Sequence, residues 1–63
     1  MTDIITTEDK LNCAERELKM RKRVYERQVD QGKMSAGLAA HEIACMEAIL
    51  SDYRAQAEKE RLL

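Results

Sequence analysis

Asp30-Gln31-Gly32-Lys33-Met34-Ser35 decides the fold. A glycine just past a long uninterrupted run can take the left-handed backbone that ends a helix, and a serine three residues on can cap the free amides of a new one. Upstream, residues 8 to 31 contain neither glycine nor proline, and basic residues crowd the last turns, where a helix C-terminus favours them. The same helix opens at Thr6-Thr7-Glu8-Asp9, a threonine cap followed by two acids in the first turn. Downstream, Ala36 to about Arg61 is broken only by Gly37 in its first turn. Residues 1–5 read as a frayed arm. The expectation is a single domain over residues 1–63, with a helix over about 7–31, a turn at 32–34 and a helix over about 35–61. The fold class is all-α: two antiparallel helices of roughly 23 and 26 residues, about 35 and 39 Å long, forming a hairpin.

Composition supports helix and little else. The chain has 63 residues, no proline, no Phe and no Trp, and 37% of its residues are charged. That mix excludes a β-sandwich, a proline-rich linker and a disulfide scaffold. Eleven Lys and Arg stand against twelve Asp and Glu, so the net charge of −1 gives no global attraction to nucleic acid or to a membrane. No apolar run approaches the ~18 residues of a membrane span, and the N-terminus lacks the basic segment and apolar core of a signal peptide. Two cysteines, Cys13 and Cys45, make no disulfide framework, so a cytoplasmic protein with two ordinary thiols is expected.

Placing residues at 100° intervals shows which faces are buried. On the second helix Ala39, Ile43, Met46, Leu50, Tyr53 and Ala57 form a heptad seam, widened on one flank by Leu38, Cys45 and Ile49. On the first helix Leu11, Ala14, Leu18, Tyr25 and Val29 form the matching stripe, with Arg21 where an apolar residue belongs. Cys13, Met20 and Val24 form a second apolar strip well around from it. A lone hairpin covers one stripe per helix, which leaves Met20, Val24, Leu38 and Ile49 wet. A core this small is also below the usual limit for a single domain without disulfides or metal. Covering four large side chains at about 1.5–3 kcal/mol each would be a large share of a small domain's stability. A homodimer, two hairpins closing into a four-helix bundle, is the simplest cover.

Chemistry has few candidates. His41 and Cys45, four apart, share a helix face as metal ligands can. Angular position puts His41 on the outer side of the second helix and Cys45 on its flank. A closed zinc site needs two more ligands, and Cys13 lies some ~12 Å along the axis. A site could form only across a dimer or higher assembly, so no metal is expected. No Ser–His–Asp or Cys–His–Asn set, phosphate loop or apolar carboxylate pair is present, so neither an enzyme nor a cofactor is implied. Arg21 and Glu42 both face the core near the turn and are expected to pair and set the register.

Residues 18–33 carry six basic and two acidic side chains, while both flanking segments are acidic. Arg16, Lys19, Arg23 and Arg27 form one exposed stripe. It reads first as a solvated face supported by Glu15–Lys19 and Lys22–Glu26 pairs, second as a docking surface for an acidic protein, and third as a phosphate contact to nucleic acid. Scarce aromatics and the lack of a reading helix argue against nucleic acid.

The stretch Arg16-Glu17-Leu18-Lys19-Met20-Arg21-Lys22-Arg23-Val24-Tyr25, continued by Gly32-Lys33-Met34-Ser35 and by Glu42-Ile43-Ala44-Cys45-Met46-Glu47-Ala48-Ile49, resembles small proteins encoded by bacteriophages and prophages of proteobacteria. The resemblance covers about residues 11–61, and its motifs specify a hairpin rather than a chemistry. It implies a phage accessory protein acting in the bacterial cytoplasm. Small phage helical dimers, a quorum-sensing anti-activator among them, bind and disable host proteins, an analogy of size and architecture only. The function expected is therefore non-enzymatic: a protein–protein interaction module that binds and inhibits or redirects a bacterial host protein. Nucleic-acid or nucleotide binding, or a purely structural assembly role, are the alternatives.

Overall fold

The computed structural model describes residues 4–63, so part of the arm expected at residues 1–5 lies outside the described residues. Two helices, α1 (Thr7–Asp30) and α2 (Ala36–Leu62), pack against each other as an antiparallel hairpin. Each begins on a side-chain cap. Thr6 Oγ1 accepts from the Asp9 N–H at 3.0 Å, and Asp9 Oδ2 accepts in return from the Thr6 N–H at 3.1 Å, a reciprocal box. Ser35 Oγ accepts from the Leu38 N–H at 3.1 Å.

The turn is a Schellman closure. Gly32 has φ of 71° and its N–H donates to the Val29 carbonyl at 3.0 Å, while the Lys33 N–H reaches the Gln28 carbonyl at 2.8 Å. These two bonds occupy carbonyls that the end of α1 would otherwise leave bare. Four residues then suffice to reverse the chain onto Ser35.

The core is thin. Leu50 is 1% exposed, and Met46 and Ala14 are buried beside it, with Leu11 and Leu18 packed on the cluster. Ala14 matters for its smallness, since it lets the larger Met46 and Leu50 of α2 lie against the α1 backbone. Ala57 is buried nearer the open end. There the ends are tied by polar contacts: Thr7 Oγ1 donates to Glu60 Oε1 at 2.8 Å, and Lys10 Nζ stands 5.9 Å from the centre of the Tyr53 ring.

The result is a plate one helix thick. Its smallest extent is 12 Å, and its radius of gyration is 14.8 Å, against about 11 Å for a compact chain of this length. Two broad faces are therefore open to water. No helix among the described residues is long and apolar enough to cross a membrane.

Candidate functional site

The two broad faces differ. In an antiparallel hairpin the same rotational flank of each helix falls on the same side of the plate. The strip Cys13, Met20 and Val24 of α1 and the strip Leu38, Cys45 and Ile49 of α2 therefore share one face. A groove between the helices joins them, with Cys13, Glu17, Met46 and Ile49 among its walls. Four large apolar side chains stay substantially exposed there: Met20 at 47%, Val24 at 37%, Leu38 at 50% and Ile49 at 45%. The core side chains sit between the faces, with Met46 and Leu50 buried and Leu18, Tyr25, Ile43 and Tyr53 half-buried.

The total accessible surface is 5155 Å², whereas a folded monomer of 7.3 kDa exposes about 4,200 Å². The excess, roughly 1,000 Å², is what a plate one helix thick exposes beyond a compact chain. One partner in a stable complex covers about 800 Å².

The opposite face is polar. Arg54 Nη2 forms an ion pair with Glu15 Oε1 across the two helices at 3.6 Å, and near the turn Lys22 and Glu26 border a groove that includes Ala36, Ala39 and Ala40. Tyr25, Val29 and Ile43 line the same groove but are only partly exposed, so this face carries no large apolar side chain standing free in water. Glu15 was expected to pair with Lys19 along its own helix and instead bridges to α2. Neither the Glu15–Lys19 pair nor the Lys22–Glu26 pair is among the ion pairs within 4 Å of the described residues.

Arg16, Lys19, Arg23 and Arg27 all lie exposed on the back of α1, and among the described residues none of them has an ion-pair partner. The stripe is thus four unneutralised cations on one helical edge.

Arg21 corrects the expected register pair. Its Nε donates to Glu17 Oε1 at 2.8 Å, four residues back on the same helix, and Glu42 makes no direct bond to it. The hydrogen bond to Glu17 raises the Arg21 pKa, opposed next by desolvation and helped to a smaller extent by the charges of Tyr25, Glu17 and Glu42. A partner four residues back on the same helix lies within easy reach of a flexible guanidinium. Glu17 was not singled out in the sequence, although the spacing of four to Arg21 was there to be read.

His41 and Cys45, both exposed, touch: Cys45 Sγ lies 3.5 Å from His41 Nε2. Among the described residues no three His, Cys, Asp or Glu side chains gather closely enough to hold a metal ion within one chain, and both cysteines are free. No protein-family model matches this chain, and no curated protein or solved structure matches it either.

Proposed function

We propose that the chain is a non-enzymatic protein–protein interaction module that works as a homodimer, two hairpins closing into a four-helix bundle over their apolar faces. The observation that carries this reading is the single-sided exposure of Met20, Val24, Leu38 and Ile49 on a plate one helix thick. Covering what remains exposed of these side chains in two copies is worth on the order of 5–10 kcal/mol before the cost of association. A polar opposite face limits the assembly to two layers. Light scattering behind size exclusion at micromolar concentration is expected to give twice 7.3 kDa. A mass of one chain would overturn the homodimer.

Dimerisation through that face leaves the two basic stripes pointing outward. Their unpaired cations suit an acidic protein surface, and the resemblance to phage-encoded proteins makes that partner a protein of the bacterial host, met in its cytoplasm. The protein used as bait in bacterial lysate should retain a partner that Arg23→Glu with Arg27→Glu releases. Retention unchanged by that double substitution would move the docking site off the stripe. Binding to DNA or RNA that weakens steeply with salt would replace the protein partner with nucleic acid.

A further inference from the structure

The His41–Cys45 contact has the dimensions of half a metal site. Two ligands of one tetrahedral zinc ion, with Zn–S of about 2.3 Å and Zn–N of about 2.0–2.1 Å, stand about 3.5 Å apart. Sγ of Cys45 and Nε2 of His41 are separated by 3.5 Å. One turn of α2 therefore holds a thiol and an imidazole at the edge length of such a tetrahedron, with no third ligand gathered beside them among the described residues.

Its position says where the other half comes from. On α2 the exposed Leu38 and Ile49 bracket the pair almost evenly, so both sets centre on Ile43 or Ala44. On α1 the exposed Met20 and Val24 centre on Lys22. The cross-helix contacts Thr7–Glu60, Lys10–Tyr53 and Glu15–Arg54 set the axial register, and they put Lys22 and Arg23 level with Ile43 and Ala44. Three sets of residues on two helices share one mid-level. A two-fold axis at that level, running across the hairpin in the plane of its apolar face, lays each helix antiparallel on its own copy. It sets Met20 against Val24 of the partner subunit, Leu38 against Ile49 of the partner subunit, and each His41 near Cys45 of the partner subunit. One axis thus covers all four exposed apolar side chains and brings two His–Cys pairs together.

We propose that the homodimer has this axis and that its two His41 imidazoles and two Cys45 thiolates bind one divalent transition metal ion of the zinc class. Cys2His2 is a common closed zinc set, and a thiolate–imidazole mixture selects zinc or cobalt over magnesium or calcium. Each Cys45 thiol releases its proton to solvent as its sulfur binds the ion. The metal clips an interface that the apolar contacts already form, so this inference rests on the homodimer proposed above.

Cobalt(II) titrated into the reduced, full-length protein tests it, with mass followed by light scattering in the same samples. The expected result is a dimer before metal is added. Cobalt should then give the thiolate-to-cobalt charge-transfer band and the intense visible bands of tetrahedral cobalt, saturating at one ion per two chains. Zinc should displace them. His41→Ala and Cys45→Ser, both at exposed positions, should each weaken binding by more than the 10–100-fold typical of losing an outer-shell partner, while Cys13→Ser leaves it unchanged. A dimer that shows no such bands, or keeps them in Cys45→Ser, overturns the metal site and leaves the homodimer standing. Saturation at one ion per chain overturns the shared site, and a chain that stays monomeric with and without metal overturns both.

Discussion

The two broad faces of this hairpin are cut from the same two helices, flank the same seam, and differ in whether they are finished. On one, Glu15 and Arg54 reach across the plate, and near the turn three alanines and the half-buried Tyr25, Val29 and Ile43 line the groove, so no large apolar side chain stands free there. On the other, Met20, Val24, Leu38 and Ile49 stand half-exposed. The seam explains why the helices pair. The flanks carry the proposed association. A face closed by charges and small residues tolerates solvent, whereas a face of isolated large side chains keeps unspent hydrophobic driving force that only another surface can use.

The comparison breaks completely if the seam between the faces fails. Leu50→Asp puts a charge at the most enclosed position of the chain, and it should abolish the helical circular-dichroism signal at ambient temperature. Even Leu50→Ala should cost about 2–5 kcal/mol, much of the roughly 3–9 kcal/mol expected of a domain this size.

The faces themselves are separated by a matched pair of double variants. Met20→Glu with Leu38→Glu, on the apolar face, should reduce the mass in light scattering from two chains to one. Lys22→Glu with Ser51→Glu, on the opposite flanks, should leave it at two. Equal effects from both pairs would mean that the distinction between the faces is not what governs assembly.

Smaller effects sharpen the picture of the polar face. The Glu15–Arg54 pair is largely exposed at both ends, so a double-mutant cycle in thermal or urea unfolding should return a coupling of about 0.2–1 kcal/mol that shrinks as salt is added. Smallest of all is the cap at Asp9, beside the groove of the apolar face. The backbone and side-chain hydrogen bonds from Thr6 hold its carboxyl below the ordinary aspartate value. A carboxyl depressed in the folded state contributes stability above its unfolded pKa and loses it as the pH falls through the folded one. Asp9→Asn should therefore lower the melting temperature slightly at pH 7, with the two proteins converging as the carboxyl protonates below about pH 4.

Much of the architecture was legible in local chemistry. Gly32 and Ser35 mark the turn because left-handed backbone and helix capping are properties of single residues, and α1 and α2 end within about one residue of the positions their signals indicate. The ion pairs were less legible, and they departed in opposite directions. Arg21 was expected to cross to Glu42 and stays on its own helix with Glu17, while Glu15 was expected to stay with Lys19 and crosses to Arg54. A helical wheel offers each long side chain partners both along its helix and across the seam. The choice between them turns on distances of a few ångströms that depend on how closely the helices approach. The His41–Cys45 spacing was visible as well, but contact between the two side chains is a matter of rotamer and so became evident only in three dimensions.

What the amino-acid order determined alone is the pair of helices, the heptad seam, and the surplus of large apolar residues beyond what one seam can hide. These follow from a 100° periodicity and from caps that act within a single turn. Only the tertiary structure decided that the surplus on α1 and the surplus on α2 lie on one side, level with each other. That alignment depends on the axial offset between the helices, which is set where Ala14 admits Met46 and Leu50 and where Thr7 meets Glu60. Periodicity within a helix carries no information about that offset, because it repeats identically however far one helix slides along the other.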